Sequence, residues 1–238
     1  MTTDEIVSPD ILEERRRRIA KHFTPDRAIA DSLKSFTSPS ARYRLEIQRY
    51  DAGDGRWNVS RGVVSRTSDG SIVADIKRNY PAFWHAWINH PNGNEYLLCG
   101  EDYQGYMVVN LTQVTVESYL PIEALNGGGF CWATVFPSPD GLAIAVEGCI
   151  WAAPYELVIY DFSDPAKLPL PQIARFDGLE NAIGWEADGA FSFTRSHLVR
   201  ATDGVRYSLL ADEEQERLDK DLTLQAFVEE TIRWIRPS

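Results

Sequence analysis

A turn motif recurs through the middle of the chain at one interval. Pro91-Asn92-Gly93, Pro139-Asp140-Gly141 and Ala187-Asp188-Gly189 place their glycines at 93, 141 and 189, a repeat of 48 residues. Asn-Gly and Asp-Gly pairs close tight hairpins because Asn, Asp and Gly enter positive φ at low cost. Each motif follows an apolar-aromatic run and precedes a further strand pattern. The centre of the chain is therefore expected to be a repeated β unit.

Within each repeat the alternation of apolar and polar residues marks several strands. The unit near 83–120 reads as strands at 86–89, 95–100, 106–111 and 113–120. The unit near 130–176 reads as 131–136, 142–147, 156–162 and 171–176, and a trimmed unit near 182–210 as 182–186, 190–195, 197–201 and 205–210. Ahead of them, Tyr43, Leu45 and Ile47 alternate, as do Trp57, Val59, Arg61 and Val63 after a Gly-Asp-Gly turn, making a less regular unit near 42–80. Seven Trp, ten Tyr and ten Phe fall largely in these segments, as sheets favour.

Ser138-Pro139-Asp140-Gly141, followed by Leu142-Ala143-Ile144-Ala145-Val146 and later by Leu157-Val158-Ile159-Tyr160-Asp161, resembles a blade of WD40-like or TolB-like β-propellers. The likeness extends over roughly residues 83–210, and four strands in about 40 to 50 residues suit a blade. The resemblance implies a mainly β protein whose antiparallel four-stranded meanders form a small or partial propeller-like array.

The flanks read as helical. Ser8-Pro9 and Thr24-Pro25 each offer an N-cap with proline at the first helical position, so helices are expected within 1–38. In the first, Ile11, Leu12, Arg15, Ile19 and Phe23 make a narrow stripe beside Arg15-Arg16-Arg17-Arg18. Residues 211–236 read as one amphipathic helix, acidic over 212–221 and apolar through Leu224, Phe227, Val228, Thr231 and Ile235. The acidic stretch is the expected partner of the arginine run, and the chain reads as a single domain over 1–238.

A formal charge of -11 disfavours nucleic acid and anionic membrane surfaces as partners. Residues 1–10 lack the apolar segment of a secretory signal, and the sequence holds no run long enough to span a bilayer. A cytoplasmic location is expected. Cys99, Cys131 and Cys149 have no C-x-x-C spacing and read as buried free thiols. His85 and His90 match no strong zinc spacing, so no metal site is expected, and no cofactor either. Gly127-Gly128-Gly129 precedes a strand instead of a helix, which argues against a phosphate loop.

Candidate chemistry gathers in the loops between second and third strands, the place where a rigid scaffold usually carries function. Glu101, Asp102 and Glu147 are candidate acids and His85 a candidate base. Two carboxylates brought together can divide acid and base roles. Tyr103, Tyr106, Trp151 and Tyr155 are candidate ligand-stacking aromatics. Two readings follow. The first is a non-catalytic protein- or peptide-interaction module. The alternative is a small-ligand or carbohydrate-binding protein or enzyme that uses the paired carboxylates.

Overall fold

The computed structural model describes residues 6–237. The reading of residues 1–10 falls partly on residues 1–5, outside the described residues. Among the described residues the chain forms four consecutive antiparallel sheets, each a meander whose spatial order follows the chain. Sheet 1 holds β1 (Lys34–Thr37), β2 (Tyr43–Tyr50), β3 (Val59–Arg66) and β4 (Ile72–Arg78). Sheet 2 holds β5 (Ala86–Asn89), β6 (Glu95–Cys99), β7 (Tyr106–Asn110) and β8 (Thr115–Tyr119). Sheet 3 holds β9 (Phe130–Pro137), β10 (Ala143–Ile150), β11 (Glu156–Asp161) and β12 (Gln172–Phe176). Sheet 4 has three strands, β13 (Leu179–Trp185), β14 (Phe191–Arg200) and β15 (Gln225–Trp234). The protein is thus mainly β, a propeller-like array of meander sheets.

Three apolar clusters cement neighbouring sheets face to face. Leu45, Val64 and Ile76 of sheet 1 meet Leu97 and Val109 of sheet 2. Leu98 and Val108 of sheet 2 meet Trp132, Ile144 and Val146 of sheet 3. Ala145, Leu157 and Ile159 of sheet 3 meet Phe191 and Phe193 of sheet 4. Leu97/Leu98 and Ala145/Val146 are adjacent residues serving opposite faces, as strand alternation dictates. That is why the middle strands read as continuous apolar runs.

No apolar cluster and no ion pair among the described residues joins sheet 1 to sheet 4. The outward faces explain this. On sheet 1 the cross-strand partners Glu46, Val63 and Asp75, with Arg44 and Arg61, form a charged surface. On sheet 4, Ser192, Thr194 and Ser196 lie opposite Arg233, Thr231 and Glu229. Neither face offers the apolar area that sheet stacking needs.

Because the strands alternate in direction, the connections sort to two ends. One end carries the three repeated turns, where Gly93, Gly141 and Gly189 have φ of 85°, 72° and 83°. There the Gly93, Gly141 and Gly189 N–H groups donate to the carbonyls of His90, Ser138 and Glu186. The other end carries the second-to-third-strand loops, 51–58, 100–105, 151–155 and 201–224, together with the connectors between sheets.

The flanks differ from expectation in three places. The first expected helix is present as α1 (Pro9–Ala20), but the second is only a 3-10 turn at Pro25–Arg27. Residues 34–37 instead form β1, whose Phe36 pairs with Leu45 and packs on the first cluster. At the C-terminus, α2 (Asp212–Lys220) matches the acidic part of the expected helix, whereas 225–234 is a strand. Leu224, Phe227, Val228, Thr231 and Ile235 follow helical spacing, yet Phe227 and Val228 are exposed, while Ile232 and Trp234 follow the strand period of two. Ten backbone pairings to β14 and the burial of Ile232 and Trp234 against sheet 3 decide for β. In the last unit, 191–200 is one continuous strand, and 205–210 holds an isolated bridge and a 3-10 turn. The third strand of that sheet is therefore β15, reached across α2.

α1 packs on β4 and anchors through Val7, whose N–H donates to Leu120 O at 3.0 Å. No helix among the described residues is long and apolar enough to cross a membrane.

Candidate functional site

The loop end of the array is where the sequence-predicted residues fall, and the structure divides them into groups with different surroundings. Glu101 and Asp102 lie in the β6–β7 loop and are consumed by α1. Glu101 accepts from Arg16 Nε at 2.6 Å and Nη2 at 2.9 Å. Asp102, buried, accepts from Arg15 Nη1 at 2.7 Å, Asn79 Nδ2 at 2.8 Å and the Gln104 N–H at 3.1 Å. The Glu101 hydrogen bond raises the already basic Arg16 further. Two arginines of the run thus dock α1 onto the loop. The expected pairing with 212–221 is replaced, because α2 sits in the insertion of sheet 4, where Glu214 binds Arg200 and Asp219 binds Tyr207.

Beneath this loop lies a cation that sequence reasoning missed. Arg78, at the end of β4, is 2 % exposed and donates through Nε to Ala82 O at 2.8 Å and through Nη1 to Gly100 O at 2.9 Å and to Asp102 O. Its guanidinium lies 6.0 Å from the Tyr80 ring and 5.9 Å from that of Trp84. Burial pulls its pKa down to about 10, still cationic at neutral pH. Main-chain carbonyl dipoles and ring faces solvate the charge.

His85 lies among aromatic rings. Its ring packs 4.5 Å from Phe36 and 6.2 Å from Trp87, and burial lowers its pKa. Glu147 lies on β10, three residues before its end at Ile150, opposite Thr134 and Leu157. No hydrogen bond or ion pair to its carboxylate exists among the described residues; the Tyr155 phenol is raised first by burial, with Cys149 and Glu147 adding smaller contributions. It is an unpaired acid on the face of sheet 3 that also carries Ala145 and Leu157, the face toward sheet 4.

Tyr106 is an internal residue. It stacks on Trp132 at 4.4 Å with the planes 27° apart, and its hydroxyl accepts from Leu170 N–H at 2.6 Å. Tyr106, Tyr119, Trp132 and Tyr160 back a cleft of about 570 Å³ between sheets 2 and 3, edged by Glu123, Lys167 and Arg175. None of Glu101, Asp102, Glu147 and His85 lines it. Gly129 borders the cleft where Gln104 and Pro121 approach so closely that a Cβ would sit 3.2 Å from each, which accounts for one of the three successive glycines.

Tyr103 and Trp151 join an open aromatic patch. Trp57 from the β2–β3 loop lies 5.0 Å from Trp151 of the β10–β11 loop and 6.3 Å from Tyr103 of the β6–β7 loop. Tyr80, from the connector after β4, lies 5.3 Å from Trp57 and 6.1 Å from Tyr103. Equivalent loops of three successive sheets deliver one aromatic each. Trp57 is 53 % and Trp151 51 % exposed, with Tyr155 beside them at 43 %. Trp57 and Tyr80 were missed because unit 1 was read from residue 42. Counting β1 as its first strand places 51–58 in the same loop class as 100–105. No group of three or more His, Cys, Asp or Glu side chains suited to a metal converges among the described residues.

No family model matches the chain. The chain is similar to "Uncharacterized protein R762" of Acanthamoeba polyphaga mimivirus, 40 % identical over 146 residues, 61 % of this chain and 57 % of the viral protein. The match thus spans little more than half of that relative's length. Among solved structures it is similar to the β-propeller domain of Myceliophteria thermophila Cps50 (Swd1), with a TM-score of 0.39 and 13 % identity over 76 % of this chain and 49 % of that one. It is also similar to the Dos1 propeller, with a TM-score of 0.42 and 12 % identity over 80 % of this chain and 44 % of that one.

Proposed function

We propose that the chain is a non-catalytic interaction module whose aromatic patch takes a peptide segment carrying lysine or arginine. The observation that carries this reading is the convergence of Trp57, Tyr103 and Trp151 from three equivalent loops, more than half exposed at the two tryptophans. Large aromatic side chains held on a rigid scaffold and left open to solvent are the anchors of recognition surfaces. Charge chooses the occupant. Aromatic faces attract cations, and the chain carries a charge of -11 that steers cationic partners toward it. The small-ligand or carbohydrate reading has weaker support, since two of its candidate acids, Glu101 and Asp102, are neutralised by Arg16 and Arg15.

The test is a titration of the protein with a short arginine-glycine repeat peptide and with its glutamate-glycine counterpart, followed by tryptophan emission at low salt. The cationic peptide alone should change the emission, Trp57→Ala by itself should weaken binding by about threefold to tenfold, in line with a cation–aromatic contact worth ~1 kcal/mol, and the Trp57→Ala/Trp151→Ala double variant should abolish binding with the fold retained by circular dichroism. Equal responses to both peptides, or binding that survives the double variant when followed by calorimetry, would sink the reading.

A further inference from the structure

Cys131 on β9 and Cys149 on β10 are direct cross-strand partners. Residues opposed in this way share a face of the sheet with Cα atoms about 4.5 to 5.5 Å apart, inside the range a disulfide bridges. A bulge lies next to the pair, where the register shifts between Glu147 and Gly148, and bulged strands bend locally, which gives the backbone room to close the sulfurs. Both residues are half-buried, whereas Cys99 is fully enclosed between sheets. The sequence expectation of three buried thiols therefore holds for Cys99 only. The cause is position: Cys99 ends β6 within the first apolar cluster, while the other two sit at the loop end, where β9 and β10 emerge from the packed layer.

We propose that Cys131 and Cys149 are a two-electron oxidation site, converted by a hydroperoxide into an intramolecular disulfide. The thiolate sulfur of one cysteine attacks the peroxide O–O bond, leaving a sulfenic acid and releasing water or an alcohol. The thiol of the other displaces the sulfenic hydroxyl as a second water. Two thiols lose two hydrogens in total, and the peroxide is reduced. Burial raises both thiols, Cys131 to about 11, so the thiolate is scarce at neutral pH and the reaction quickens as pH rises. Trp151 lies two residues beyond Cys149, so the disulfide clamps the base of the 151–155 loop.

The experiment treats the reduced full-length chain with hydrogen peroxide at pH 7 and pH 9, alkylates it after unfolding, and digests it with a glutamate-specific protease. Cleavage after Glu101, Glu123 and Glu147 puts the three cysteines on separate peptides. The expected product links the Cys131 and Cys149 peptides with the loss of two hydrogens, leaves Cys99 alkylated, forms roughly tenfold or more faster at pH 9, and slows backbone exchange in 151–155. Cys99→Ser should leave this outcome unchanged and Cys149→Ser should abolish it. Cys131 and Cys149 that stay alkylatable at pH 9, separate sulfinic acids on each, or disulfides only between chains or through Cys99 would overturn the proposal.

Discussion

At the scale of single residues, Arg78 is the side chain on which the loop end depends most. It satisfies three main-chain carbonyls, those of Gly100 and Asp102 within buried residues, and an unpaired buried acceptor costs about 1–3 kcal/mol. Arg78→Met should therefore lower stability by about 3–5 kcal/mol, read as a fall in the urea midpoint at unchanged slope. Arg78→Lys should recover little, because an ammonium cannot reach carbonyls of both Ala82 and Gly100 as a planar fork does. His85 gives a pH signature. Its depressed pKa means the folded protein prefers the neutral ring, so its stabilisation is complete above the ordinary histidine value of about 6.5 and is lost as pH falls through the lower folded value. The thermal midpoint of His85→Phe should consequently fall less between pH 6.5 and 5 than that of the native chain; parallel curves would show that this ring does not titrate against folding. Neither role was legible in sequence. Arg78 reads as one polar residue at a strand end, and Glu101 and Asp102 read as free acids until α1 is seen to place two arginines on them.

At the scale of elements, the repeated turns were the most legible part of the fold, because Asn-Gly and Asp-Gly chemistry is local and needs no tertiary knowledge. The terminal strands were not legible for the converse reason. β1 and β15 have short or ambiguous apolar spacing, and pairing with β2 and β14 selects their conformation. The three turn glycines also separate once neighbours are known. All three sit at positive φ, but an added Cβ would meet nothing at Gly93 or Gly189, whereas at Gly141 it would stand 2.7 Å from Asn89 O in the adjoining sheet. Gly93→Ala and Gly189→Ala should each cost about 1–2 kcal/mol for the left-handed backbone alone. Gly141→Ala should cost at least about 1 kcal/mol more, because the turn must also move off sheet 2. Chemical denaturation of the three single variants checks the order, and equal losses would mean that the contact between the third-sheet turn and β5 is slack.

At the scale of the whole molecule, the question is whether four sheets behave as a ring or as a stack with two ends. Three apolar seams hold four sheets, and the two outermost faces carry charge where a ring would need a fourth seam. Repeat arrays of this kind gain stability from nearest-neighbour interfaces, so a residue matters according to the seam it fills. A lysine at position 63 would lie directly between Glu46 and Asp75 on the outward face of sheet 1, and one at position 194 would lie on the outward face of sheet 4 opposite Thr231. In an open array Val63→Lys and Thr194→Lys together should cost less than about 1 kcal/mol, as surface changes do. Phe193→Ala, at a fully enclosed ring in the third seam, should cost about 3–5 kcal/mol. In a closed ring positions 63 and 194 would face each other across a seam, and two ammonium groups buried there would cost at least as much as the lost phenyl ring. The ratio of these two losses in one denaturant series therefore distinguishes a stack from a ring. A small loss for the lysine pair beside a large one for Phe193→Ala is the outcome that the polar end faces require.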